Sequence, residues 1–186
     1  MKNRLLNIAL LYLIIAFTSC NKITESIQQD IIVNDTVYFE IPTLDSGGSA
    51  PAEVKKQTLR LEEEIKKSLN NFTPENIKAT NIKSLFLALL PIEKDSIDAK
   101  NNFGNLGTIK FNIAANGNIS NIANTSITSS SVIDFLSLTP GIQPETLKPI
   151  LINPSKTYDI IVKAKAPTTT PMIVAALATY TITLSK

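Results

Sequence analysis

Residues 105–115 read NLGTIKFNIAA, then Asn116-Gly117, then ISNIANTSI over 119–127. Ile109, Phe111 and Ile113 alternate with Lys110 and Asn112, the period of two expected of a strand with one buried face. Asn-Gly between two such runs is the pair that a tight antiparallel hairpin demands, because both central residues need positive φ. The return run, Ile119–Ile127, is a weaker strand signal because it is rich in Asn and Ser. Other segments extend the series. Ile31–Val33 and Thr36–Ile41 read as strand, with Asn34-Asp35 suggesting a turn or bulge between them. Ile82–Ile92, Tyr158–Ala166 and Met172–Leu184 add three more. Many strands and few helices argue a mainly β domain, an antiparallel, immunoglobulin-like β-sandwich of about seven strands.

One long amphipathic helix is expected, inserted over Glu53–Asn70. Val54, Leu61, Ile65, Leu69 and Phe72 fall on one stripe; Ser46 or Ser49 can cap it, and Pro51 fits its first turn. Glu62–Lys66 and Glu63–Lys67 stand in the favourable i,i+4 order. Glu62, Glu63 and Glu64 resemble an acidic cluster, but consecutive helix positions turn by roughly 100° each, so the three fan out as a solvated face. Thr73-Pro74 marks a further turn with Thr73 as its cap. Ser131–Leu138 reads either as a strand or as one helical turn carrying Val132, Phe135 and Leu136. Pro144–Leu151 reads as a short helix or as a loop interrupted by Pro149. Two apolar runs do not alternate, Leu85–Leu90 and Met172–Ala178. They imply cover on both faces, by an opposite sheet and by the helix, or else a pocket or an exposed patch.

The first residues are of another kind. Lys2 and Arg4 precede Leu5–Phe17, apolar except for Asn7, and Thr18-Ser19-Cys20 follows. At about 13 residues the run is shorter than the roughly 20 of a membrane-spanning helix, and its layout is that of a secretory signal. Phe17-Thr18-Ser19-Cys20 resembles the lipobox of bacterial lipoprotein signals, with Phe17 bulkier than the usual leucine. The resemblance implies cleavage between Ser19 and Cys20, diacylglycerol on the Cys20 thiol and acylation of the new amino terminus. Two or more chains hold stably where one holds weakly, at about 0.8 kcal/mol per buried CH₂. An ordinary signal cut elsewhere and an uncleaved anchor are the alternatives. The division expected is signal peptide 1–19, tether 20–29 and β domain 30–186. Asn21 stands where aspartate retains many lipoproteins in the inner membrane, which by the same resemblance favours the outer membrane, on either face.

From Asn71 onward, NFTPENIKATNIKSLFLALLP, NFGNLGTIKFNIAANG, YDIIVKAKA and ATYTITL are similar to a group of small Bacteroidetes-type lipoproteins with β-sandwich folds. That resemblance implies a fold and an envelope location, and it transfers no active site.

Composition narrows the chemistry. The chain of 186 residues has a formal charge of +2, no His, no Trp and one Cys. Loss of Lys2 and Arg4 with the leader leaves 16 basic and 16 acidic residues, with no electrostatic footprint for nucleic acid. Without His there is no Ser-His-Asp or Cys-His nucleophile and no His-ligated metal. No glycine-rich phosphate loop occurs. Candidate carboxylate pairs for a hydrolase are Asp134 with Glu145 and Asp95 with Asp98, the latter also a fragment of a calcium-loop pattern. The expectation is therefore a non-catalytic envelope module without a cofactor or metal. Cys20 is its lipidation residue, its partner the membrane through the anchor, and its ligand an unspecified envelope protein, glycan or lipid. An apolar-ligand binder is the alternative, and a carboxylate hydrolase the third.

Overall fold

Alternation carries directly into three dimensions. The computed structural model describes residues 28–91 and 97–186. Its strands are β1 Gln28–Ile41, β2 Ser49–Gln57, β3 Ile77–Leu90, β4 Leu106–Ala115, β5 Asn118–Ser126, β6 Phe135–Leu138, β7 Thr157–Ala164 and β8 Met172–Ser185. Two helices accompany them, α1 Leu61–Ser68 and α2 Pro144–Leu151. The expected hairpin is present: β4 and β5 pair antiparallel around Asn116 and Gly117, whose φ values are 52° and 77°.

All eight strands belong to one antiparallel sheet, in the order β5-β4-β7-β2-β1-β8-β3-β6. A bridge from Ala123 of β5 to Pro140, just past β6, brings its two edges together, so the sheet is nearly closed into a barrel. The mainly β, antiparallel reading is correct. The separate sheets of a sandwich are not what joins the strands. β2 connects the two halves: its Ser49–Ala52 pairs with β7, while Glu53–Gln57 pairs with β1. Phe39 of β1 meets Phe111 of β4 edge to face across the interior, with ring centroids 6.3 Å apart. The predicted inward residues Ile109, Phe111 and Ile113 are all buried there, with Ile160 and Val162 of β7 and Val174 of β8. Each such side chain contributes roughly 2 kcal/mol by leaving water.

The long helix over Glu53–Asn70 is not formed. Residues 53–57 extend β2, because β1 offers them a ladder and backbone groups facing a sheet edge must be paired. The helix starts only at Leu61, and Leu61 and Ile65 turn inward. Ser131–Leu138 gives the short strand β6 rather than a helical turn, because the exposed edge of β3 takes it at Leu85–Ala88. Asn34-Asp35 makes no break: β1 runs unbroken from Gln28 to Ile41 against β8, and so takes in Gln28 and Gln29 from the expected tether. Pro144–Leu151 is a helix, with Leu147, Ile150 and Leu151 buried as it packs on β3 and β4. Pro74–Asn76 forms a tight turn capped by Thr73.

The barrel has two unlike ends. At one, here the far end, the loops are stapled by neutral side chains. Asn102 Oδ1 accepts from the Gly104 and Ile133 amides at 2.6 and 3.3 Å, and its Nδ2 donates to Asp98 O and Asn105 Oδ1, both at 2.7 Å. Thr168 Oγ1 accepts from the Leu44 amide at 2.9 Å. At the other end, the mouth, β1 begins, β2 and β8 finish, and α1 and α2 lie across the opening.

Candidate functional site

The mouth holds the ionisable groups of the interior. Along β1, Ile31, Val33, Val37, Phe39 and Ile41 point inward, and so does Asp35, only 1% exposed. A buried carboxylate needs partners, and Asp35 has three. Its Oδ1 accepts from the Leu59 amide at 2.9 Å and from Thr58 Oγ1 at 3.3 Å, and its Oδ2 accepts from the Tyr158 hydroxyl at 2.7 Å. These bonds pin the chain where β2 gives way to α1, assisted by the Thr58 amide, which donates to Thr36 O at 3.1 Å. Tyr180 of β8 lies beside Tyr158. Burial raises both phenols well above their ordinary values, with the negative charge of Asp35 adding to the effect.

Lys156, one residue before β7, completes the group. It is 7% exposed. Desolvation pulls its ammonium below the ordinary lysine value, and the charge of Asp35 opposes that only in part. Among the described residues it has no salt-bridge or hydrogen-bond partner for that ammonium. It lines a cavity of about 450 Å³ between the end of β2, the start of α1, the Pro74 turn and the segment after α2. Leu59, Leu61, Pro74, Leu151, Ile152 and Pro154 supply apolar wall, and Gln57, Asn153, Arg60, Glu62 and Glu63 bring polar atoms. Six of its lining residues are apolar and six are polar or charged, so the hollow offers polar and apolar surface in equal measure.

The carboxylates expected from sequence lie elsewhere. Glu62 pairs with Lys66 at 2.6 Å, and Glu63 pairs with Arg60 at 3.1 Å rather than with Lys67; both are exposed. Asp98 closes its own turn, accepting from the Lys100 and Asn101 amides at 2.7 and 2.8 Å, which hold it below the usual carboxylate range. Asp95, Ser19 and Cys20 lie outside the described residues. Asp134 precedes β6 at the far end, where its carbonyl accepts from the Leu89 amide, and Glu145 lies in the first turn of α2. Asp134 and Glu145 are thus not brought together, and among the described residues no three His, Cys, Asp or Glu side chains form a metal-binding group.

The Leu85–Leu90 run alternates in the structure, whereas Met172–Ala178 does so only in part, since Val174, Ala175 and Ala176 are buried in succession. Leu85, Leu87 and Leu89, like Val174, Ala176 and Ala178, are buried, while Leu90 and Leu177 are exposed. Phe86 and Ile173 are half-buried on the outer face, where Phe135 stacks on Phe86 at 5.2 Å. The runs read as unbroken because the outward positions are apolar as well. α1 does not cover them; it packs on β1 and the Pro74 turn.

The mouth cluster was half legible. Asp35 interrupts an apolar alternation at an inward position, and reading β1 as one strand would have marked it as a buried acid. Lys156 carries no local signal. Searches with the sequence match no protein-family model and no curated protein.

Proposed function

We propose that the chain is a lipid-anchored, non-catalytic binding module of the cell envelope, held at Cys20, and that the mouth of its barrel takes an apolar small molecule from that envelope. The observation that supports this reading is the mouth cavity of about 450 Å³, where Leu59, Leu61, Leu151 and Ile152 bring apolar surface beside polar and charged side chains.

Two measurements on the membrane-anchored protein test the two halves of this proposal. Radioactive palmitate is expected to label the wild type and not Cys20→Ala; label retained by the variant overturns the anchor. Lipid extracted from the purified protein and identified by mass spectrometry is expected to be depleted when Leu151→Glu puts a charge in the cavity wall. Identical lipid content in both proteins overturns the binding site.

A further inference from the structure

We infer that residues 58–72, which carry α1 across the mouth, form a strap that opens as one unit while the barrel stays folded, and that Asp35 is its latch. The strap is tied at its two ends. At its start, the Asp35 carboxylate accepts from the Leu59 amide and from Thr58 Oγ1, and Thr58 Oγ1 itself accepts from the Thr36 amide at 2.8 Å. At its finish, Phe72 is buried, with the Lys186 ammonium 5.3 Å from its ring centre. Between the two ties, among the described residues, the hydrogen bonds of the segment stay within it. The Glu64 amide donates to Arg60 O, the Leu69 amide to Ile65 O and the Phe72 amide to Leu69 O, and the side chains pair as Arg60 with Glu63 and Lys66 with Glu62. Such bonds hold the helix to itself and not to the barrel.

Of its own residues, α1 buries Leu61 and Ile65 alone. It is also undercut on both sides, by the cavity of about 450 Å³ along Arg60–Glu63 and by a second hollow of about 330 Å³ along Ser68–Phe72, Gln29 and Lys186. A helix of 8 residues is too short to persist in water on its backbone bonds, and Arg60 gives it no side-chain cap. Two apolar side chains, Phe72 and the latch therefore set the free energy of opening, whereas β1, β3 and β8 each run for 14 residues within the sheet. Segments with few buried apolar contacts and solvent-exposed backbone bonds open below the free energy of global unfolding. Asp35 suits a latch because it belongs to the barrel. It stands on β1, and its second oxygen is held from β7 by the Tyr158 hydroxyl at 2.7 Å, so the carboxylate keeps a partner when the strap lets go. Opening uncovers Leu61, Ile65 and the Asp35–Tyr158 pair together, and it does so whatever the cavity binds.

The test is hydrogen exchange of the full chain, read by mass spectrometry of its peptides. Residues 60–72 are expected to exchange well before β1 and β8. Asp35→Ala is expected to speed them by about tenfold or more, and Thr58→Val, the milder change, by about fivefold, the effect of one hydrogen bond. Asn102→Ala, which weakens the barrel from its far end, is expected to speed the strands and to leave residues 60–72 at their wild-type rate. Exchange of residues 60–72 in step with β8, accelerated with it by Asn102→Ala, means that they open only with the whole barrel and overturns the strap. Early exchange that neither Asp35→Ala nor Thr58→Val alters overturns the latch.

Discussion

Lys156 and Lys165 bracket the same strand, β7, and meet opposite fates. At the far end, the Lys165 ammonium donates to three carbonyls, Ile127, Thr128 and Ser129, at 3.3, 3.3 and 2.6 Å. At the mouth, Lys156 is more deeply buried and has no such partner among the described residues. The rest of each end follows suit. The far end is held by Asn101, Asn102, Asp98, Thr168 and Lys165, each bonded to the loops around it. The mouth is held by a carboxylate, two phenols and an ammonium. One end is a closure. The other buries a carboxylate and two phenols together, beside the cavity proposed as a binding site.

That contrast can be broken by three substitutions. The largest effect is expected at the far end. Asn102→Ala strands two amide N–H groups and two oxygen acceptors in a dry setting, and at about 1 kcal/mol each the loss is about 4 kcal/mol by chemical denaturation. Next comes Tyr158→Phe, which takes one donor from Asp35 and leaves the others. With water able to enter from the mouth, the expected loss is about 2 kcal/mol. If the two variants prove equally damaging, the mouth is as much a structural staple as the far end and the distinction fails.

The smallest effect is expected to have the opposite sign. Lys156→Met removes an ammonium that desolvation holds below its ordinary value, so the protein gains stability, by up to about 1 kcal/mol after allowance for the solvent that reaches the amine. The gain depends on pH. The folded-state lysine is lowered, so the unfolded chain binds more protons, and wild-type stability rises as pH passes the folded value toward the ordinary lysine value of about 10.5. The advantage of the variant is therefore full at neutral pH and shrinks toward that limit. Tyr158 and Tyr180 act in the other direction. Their raised values give stability that is present below about pH 10 and lost as pH rises beyond it. Both proteins share those tyrosines, so the difference between their melting temperatures, followed from pH 7 to 10, reports the lysine alone. A difference that stays constant over that range removes Lys156 as its source.

Much of the barrel can be read locally. The β4–β5 hairpin follows from alternation plus Asn116-Gly117, and β7 and β8 from alternation closed by Pro-rich turns. The helix over Glu53–Asn70 misled because Val54, Leu61 and Ile65 lie on one helical stripe whether or not the residues before Leu61 are helical. The boundary was decided by β1, 20 residues earlier, through its pairing with Gln57 and through Asp35 holding Leu59. β6 was ambiguous for the same reason, a segment of four residues whose state is chosen by the free edge of β3.

What the amino-acid order determined by itself is therefore everything that nearest neighbours control: strand periods, the positive-φ turn, the exclusion of histidine chemistry, and the leader-like segment ending at Cys20. Tertiary structure alone decided how the sheet curls, where β2 crosses from one half to the other, and which polar residues meet inside. Asp35 and Tyr158 are 123 positions apart. No local pattern records that the same barrel end buries both, or that the charge of Asp35 is felt by Lys156. That arrangement exists only once the sheet has closed.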